Sequence, residues 1–230
     1  MGRHRMETIL AAAYQRFATD GYEATSLASI ARDAGLTEAG VLHYFPSKSH
    51  LLIAVSRRRL ATVESWWVGM PAQPDAFDIF GRMLLATRLM VDDPEMIEFS
   101  VLNAVETARW AHAGAGDRDR HRREPGQEVD QARAVAAVAH DLAGCRDRGG
   151  LESWVDPQRL ARQCIAMSDG LHLQWVITQR SFDLPAVILD HLEFTARSVV
   201  PAELQPPDVR ARLDEIAIDA RRALADPRPG

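Results

Sequence analysis

The chain has a single lysine, Lys48, beside 26 arginines in 230 residues. It has two cysteines, Cys145 and Cys164, which fit neither a disulfide framework nor a metal-ligand spacing. A reduced, cytoplasmic compartment is the expectation. No apolar run approaches the roughly 20 residues of a membrane span, so no membrane partner is expected. The N-terminus, MGRHRMETILAAAYQRF, has its apolar positions interrupted by Gln15 and Arg16; it reads as an arm plus an amphipathic helix, not a leader peptide. Period-two alternation and internal repeats are both missing, which excludes a sheet or a solenoid. There is no phosphate-cradling glycine loop, no paired zinc-ligand spacing and no nucleophile motif. The expectation is therefore no catalytic residue, no metal and no cofactor. The run HAGAGDRDRH can be argued as a metal loop, but a solvated charge run suits its polar context better.

What is present is unevenly distributed. The net charge is −5, yet residues 1–60 hold eight basic and five acidic side chains, a net of +3, against −8 for the remainder. A basic N-terminal quarter on an acidic body suggests that one end meets a polyanion, or is a chance fluctuation.

The apolar pattern is helical nearly throughout and predicts about ten helices, three short ones and then about seven longer ones. Met6, Ile9, Leu10, Ala13 and Phe17 form a stripe ended by Gly21. Thr25-Ser26 open a second helix that Gly35 ends, and Thr37 caps a third that Pro46 stops. Ser47 caps a fourth, which can run on to Trp66-Trp67. VGMPAQPD reads as a linker and HAGAGDRDRHRREPG as a mobile polar loop. Asp156-Pro157 starts an eighth helix, expected to reach about Arg180. Asp183 and Pro185 start a ninth that Pro201 ends, and Asp208 starts a tenth. The predicted organisation is residues 1–50 as a three-helix domain and residues 51–230 as a larger helical domain.

The second and third helices are joined by AGL, with Gly35 at the turn. That is the geometry of a helix-turn-helix, whose second helix enters the major groove. The stretch TSLASIARDAGLTEAGVLHYFPSKSHLL, preceded by ETILAAAYQRFATDGYEATS, closely resembles the DNA-binding domain of the tetracycline-repressor (TetR) family of bacterial regulators. The resemblance covers about residues 5–55 and runs through Phe17, Gly21-Tyr22, Thr25, Ile30-Ala31, Ala34-Gly35, Tyr44-Phe45 and Lys48. Beyond them it extends only to helix count and length.

The resemblance implies that Thr25 and Ser26 hold phosphates from the start of the second helix, and that Thr37 and Tyr44 touch the backbone from the third. Lys48 would grip a phosphate from the start of the fourth. Thr37 is a helix cap in any case, Phe45 reads as core, and Tyr44 can also be core with its hydroxyl at the rim. In the recognition helix the family commonly has glycine, threonine, leucine and tyrosine where this chain has Ala39-Gly40-Val41-Leu42. These small side chains would let the helix approach the base edges. Glu38 can accept from a cytosine amine or merely complement the helix N-terminus. His43 can bond a purine or a phosphate, and Leu42 or Ala39 can meet a thymine methyl. Arg3 and Arg5 would enter a minor groove or form a disordered tail.

One three-helix reader is a small footprint, so a homodimer is expected. By resemblance, the eighth and ninth helices pair with their symmetry mates through Met167, Gly170, Leu171, Val187, Ile188, Leu192 and Phe194. The alternative is that they form one monomer's core. The family also implies an effector pocket in the larger domain. Its candidate lining is Phe80, Met83, Phe99, Asn103, Glu106, Ser168, His172 and Trp175; residue by residue, core packing is the competing assignment. The expected function is a ligand-responsive regulator, a repressor that binds a palindromic operator in double-stranded DNA and is released by a small apolar or amphipathic effector. The alternatives are redox sensing through the two cysteines or a helical enzyme.

Overall fold

The computed structural model describes residues 2–65, 70–113 and 127–225; the side chains of residues 57, 59–65, 103, 106–113 and 127–131 are not among those described. The expected helix end at Trp66-Trp67 and all but the first two residues of the polar loop at 112–126 lie outside the described residues. Those residues form ten α-helices and no strand. They are α1 Gly2–Asp20, α2 Leu27–Asp33, α3 Glu38–Tyr44, α4 Lys48–Ser65, α5 Ala76–Asp92, α6 Pro94–Ala113, α7 Gln127–Asp147, α8 Pro157–Ile177, α9 Leu184–Val199 and α10 Val209–Ala225. A 3-10 turn, Ala202–Leu204, joins the last two.

Local chemistry sets most helix starts. Ser26 and Ser29 form a reciprocal capping box on α2, as Asp75 and Asp78 do on α5. The Asp156 carboxylate accepts from the Gln158 and Arg159 amides, with Pro157 as the first residue of α8. Asp183 caps α9 through the Ala186 amide. Between α2 and α3, Gly35 takes φ 66°, a left-handed conformation that an L side chain resists. The α8 end differs from expectation. Gln179 and Arg180 are left-handed at φ 53° and 63°, and the Arg180 amide donates to Trp175 O at 2.7 Å. The Trp175 indole N–H donates to Phe182 O at 3.1 Å. This side-chain-to-backbone lock turns the chain just after Ile177.

The chain divides into two compact units, residues 1–62 with 94–130 and residues 63–93 with 131–230. In the first, α1, α2, α3, α4 and α6 surround a core that includes Ile9, Phe17, Ile30, Val41, Leu51, Leu52 and Phe99. In the second, α5 packs on α9 and α10, and α8 packs on α9. Helices α5 and α10 cross closely at Gly81, where a Cβ would stand 2.6 Å from Ile216 Cγ2.

Candidate nucleic-acid interface

Helix α3 offers nearly its whole circumference to solvent. Of its seven residues only Val41 is buried. Glu38, Ala39, Leu42 and His43 are exposed, and Gly40 and Tyr44 are half-buried. Val41 and the following Phe45 fix the helix to the core, so the opposite face is held outward. Thr37 caps α3 by accepting from the Gly40 amide at 3.1 Å. A Cβ at Gly40 would lie 3.3 Å from the Thr37 hydroxyl oxygen, so glycine keeps this first turn uncrowded. The His43 and Tyr44 rings meet edge-on, with centroids 5.3 Å apart. Leu42 is 39% exposed and presents a bare apolar surface where the family pattern has tyrosine.

The hydroxyls divide into two kinds. Ser26 is exposed and accepts from the Ser29 amide at 3.0 Å. A hydroxyl that accepts from an amide keeps its own proton to donate, which is the polarity a phosphate oxygen needs. Thr37 has the same property. Thr25 does not: it is 2% exposed, and its hydroxyl donates to Gly21 O at 2.7 Å and lies 3.1 Å from Arg16 O. Its side chain fastens the α1–α2 connection, with the hydroxyl proton engaged inside the protein. Lys48 also turns inward. Its Nζ donates to Tyr22 O at 2.8 Å and Thr25 O at 2.9 Å, and lies 4.2 Å from the Tyr22 ring centre. Helix α1 continues to Gly2, so Arg3 and Arg5 are exposed residues of its first turns, neither a free arm nor a tail.

Other residues at this end have no counterpart in the sequence-based set. Arg16 bridges α1 and α2 through Asp33 at 2.5 Å and also meets Asp20 at 2.8 Å. Hydrogen bonding to the Arg16 guanidinium holds the Asp33 carboxyl below its ordinary range. The Ser47 hydroxyl accepts from the His50 amide at 3.2 Å and lies 2.7 Å from His50 Nδ1. A serine three residues ahead of the histidine is the only sequence signal for that contact.

The expected effector residues fall into both units. Phe99 joins the first unit's core, 5.3 Å from the Tyr14 ring centre. Phe80, His172 and Trp175 are buried in the second unit, and Met83 and Ser168 are half-buried there. The side chains of Asn103 and Glu106 lie outside the described residues. His172 Nε2 is buried without a hydrogen-bond partner, and burial pushes the ring's pKa down to about 4. Two surface clefts of about 350 and 460 Å³ occur in the second unit, one beside Asp75, Gln205 and Arg212 and one beside His140 and Asp156. None of the six whose side chains are described lines either cleft. Burial raises the Cys145 thiol and pushes Cys164 up to about 11, so both stay protonated and unreactive at neutral pH. Among the described residues no three His, Cys, Asp or Glu side chains converge to hold a metal ion, and no helix is long and apolar enough to cross a membrane.

The expected dimer residues divide as well. Ile188 and Leu192 are 2% and 0% exposed within the single chain, so they belong to its own core. Val187 and Phe194 are 36% and 72% exposed, while Met167, Gly170 and Leu171 are half-buried. Leu173 and Ile177 on α8 add 39% and 69% exposed side chains that the expected set left out. Helical periodicity marks a residue as apolar; it does not tell which neighbour covers it.

Residues 9–55 match the family "Bacterial regulatory proteins, tetR family", and residues 98–201 match "BetI-type transcriptional repressor, C-terminal". The HTH-type transcriptional regulator RutR of Escherichia coli K12 is 43% identical over 56 residues, which is 24% of this chain and 26% of that protein. The chain thus spans about a quarter of the length of the curated relatives it matches. The fold is that of SmeT, the repressor of the Stenotrophomonas maltophilia multidrug efflux pump SmeDEF. Its TM-score is 0.69 at 22% identity, covering 89% of this chain and 95% of that one. FadR of Bacillus subtilis, solved in complex with stearoyl-CoA, matches with a TM-score of 0.64 at 19% identity, covering 83% and 97%. With one family match on the helix-turn-helix, another on the following helices and this fold across both, the chain belongs to the TetR family of bacterial regulatory proteins.

Proposed function

We propose that the chain is a cytoplasmic, ligand-responsive transcriptional repressor that binds a palindromic operator in double-stranded DNA as a homodimer. The observation that carries this reading is α3, anchored by Val41 and Phe45 with Glu38, Ala39, Leu42 and His43 facing outward. Ser26 and Thr37 supply hydroxyl protons for phosphates, and Tyr44 reaches the same strand from the end of α3. Ala39 and Gly40 admit the major-groove edge closely, so that Leu42 or Ala39 meets a thymine methyl while His43 or Glu38 reads a polar edge.

Two reading heads are needed for an operator of useful specificity. The exposed apolar side chains of Leu173 and Ile177 on α8 and of Val187 and Phe194 on α9, with Met167, Gly170 and Leu171 half-buried on α8, support pairing of α8 and α9 with a second copy. Of the effector candidates, Phe80, Met83, Ser168, His172 and Trp175 share the second unit; the bare His172 Nε2 gives an apolar or amphipathic ligand one polar anchor. FadR, which shares this fold, is solved in complex with stearoyl-CoA, an amphipathic molecule, which is consistent with such a ligand. A coupling of about 1–3 kcal/mol per ligand suffices to release DNA.

Binding to duplexes from the region upstream of the protein's own gene tests the proposal. A preference of about 10³-fold or more over random sequence at physiological salt is expected. Equal affinity for all sequences would sink it.

A further inference from the structure

We infer that Leu42 makes operator binding depend on the C5-methyl group of a pyrimidine, so that 5-methylcytosine can stand in for thymine at the base this side chain meets. This dependence rests on the DNA-binding reading proposed above. Leu42 is 39% exposed, on a helix whose only buried residue is Val41. Successive helical residues are about 100° apart, so residues four apart share a side. Glu38 and Leu42 therefore stand together on one side of α3, and both are exposed. That side is hostile to phosphate. The Glu38 carboxylate repels an anion, and a bare leucine strips water from one while offering no donor. The hydroxyls that can donate to phosphate belong to Ser26 and Thr37, ahead of the first turns of α2 and α3. The side that carries Glu38 and Leu42 thus suits base edges and not the sugar–phosphate strand.

In the major groove the base edges present donors, acceptors and one apolar group, the C5-methyl of thymine. Leucine makes no hydrogen bond, so that methyl is its favourable partner there. A helical side chain leans toward the N-terminus of its helix, which lays Leu42 over the turn that holds Glu38 and Ala39. Ala39 has a single side-chain carbon and leaves the leucine open to the groove. Methylation of cytosine puts the same methyl at the same ring position. Beside it stands an N4 amine that can donate to the Glu38 carboxylate, where thymine has an acceptor. The shared chemistry is a methylated pyrimidine edge.

The test uses the full chain and a duplex selected for tight binding from a random pool. Each thymine is replaced singly by deoxyuridine, which deletes the methyl and nothing else. At one position per bound chain this should weaken wild-type binding by about fourfold, the worth of one buried methyl-sized group. With a guanine pair built at that position, 5-methylcytosine should bind more tightly than cytosine, again by about fourfold. Leu42→Ala should bind thymine and uracil duplexes alike, and 5-methylcytosine and cytosine duplexes alike, with an unchanged circular dichroism spectrum. Uracil without effect at every position overturns the inference; a contact with deoxyribose carbons would give that result. So does a thymine preference that survives Leu42→Ala. A thymine preference with no gain from 5-methylcytosine also overturns it, because the methyl is then not what is read. A wild type that selects no sequence from the pool removes the DNA-binding reading and this inference with it, whereas a selected sequence without methyl dependence removes the inference alone.

Discussion

His172 is 5% exposed on α8, and its Nε2 has no hydrogen-bond partner. Burial disfavours the charged ring, so its folded pKa falls to about 4 from an ordinary value of 6.5. The unfolded chain therefore binds the proton more readily between those values. Stability is present above the unfolded pKa and drains away as pH falls toward the folded one. From pH 7 to pH 5 this group should remove about 2 kcal/mol, since one pKa unit is about 1.4 kcal/mol. His172→Leu should flatten that part of the profile, measured by urea unfolding at both pH values; an equal acid loss in wild type and variant would exclude it. His191, also lowered by burial, acts in the same direction in both proteins and cancels in the difference. A histidine on an apolar helix face is visible in the sequence. Whether its nitrogen finds a partner depends on packing that no spacing encodes.

Among the elements, α5 and α10 constrain each other closely where they cross. A Cβ at Gly81 would lie 2.6 Å from Ile216 Cγ2 and 3.3 Å from Leu213 O, so side chain and backbone both resist it. Gly81→Ala should cost about 1–3 kcal/mol of overpacking, less about 1 kcal/mol gained in helix propensity. A Tm lower by a few degrees follows for a chain of this size. Gly170 on α8 has nothing within 4 Å of where a Cβ would stand, so Gly170→Ala in the unpaired chain should be neutral or slightly stabilising. If both substitutions shift Tm alike by calorimetry, the close crossing is not what selects glycine at 81. Helix starts were legible because caps act within three residues of the first turn: Ser26, Thr37, Asp156 and Asp183 all appear where the pattern begins. The end of α8 was not. Its turn depends on Trp175 reaching Phe182 O, a contact across seven residues with no glycine to announce it.

For the whole molecule, the proposed pairing of two chains has a direct test. Phe194 is 72% exposed on α9, and Ile177 69% exposed on α8. Burying a phenylalanine ring is worth roughly 1.5–3 kcal/mol, and placing a charge there adds a desolvation cost. Phe194→Asp should shift the chain toward monomer by tenfold or more in dissociation constant, read by sedimentation, while far-UV circular dichroism is unchanged. Loss of operator affinity should accompany it. A dimer that forms equally well after this substitution would place the interface elsewhere.

The amino-acid pattern alone determined the all-helical class, the turn at Gly35 and the start of the third helix, because caps, left-handed glycines and apolar stripes act over a few neighbouring residues. It also marked the family through the spacing of Phe17, Gly35, Phe45 and Lys48. Only the tertiary structure decided which way a side chain faces. Thr25 turns to Gly21 O and Lys48 to Tyr22 O. Ile188 and Leu192 turn to their own core, and Phe99 joins the first unit. The physical reason is the same for all of them. Each orientation is fixed by a partner from another element, and that partner is brought near by the fold and not by the sequence around the residue.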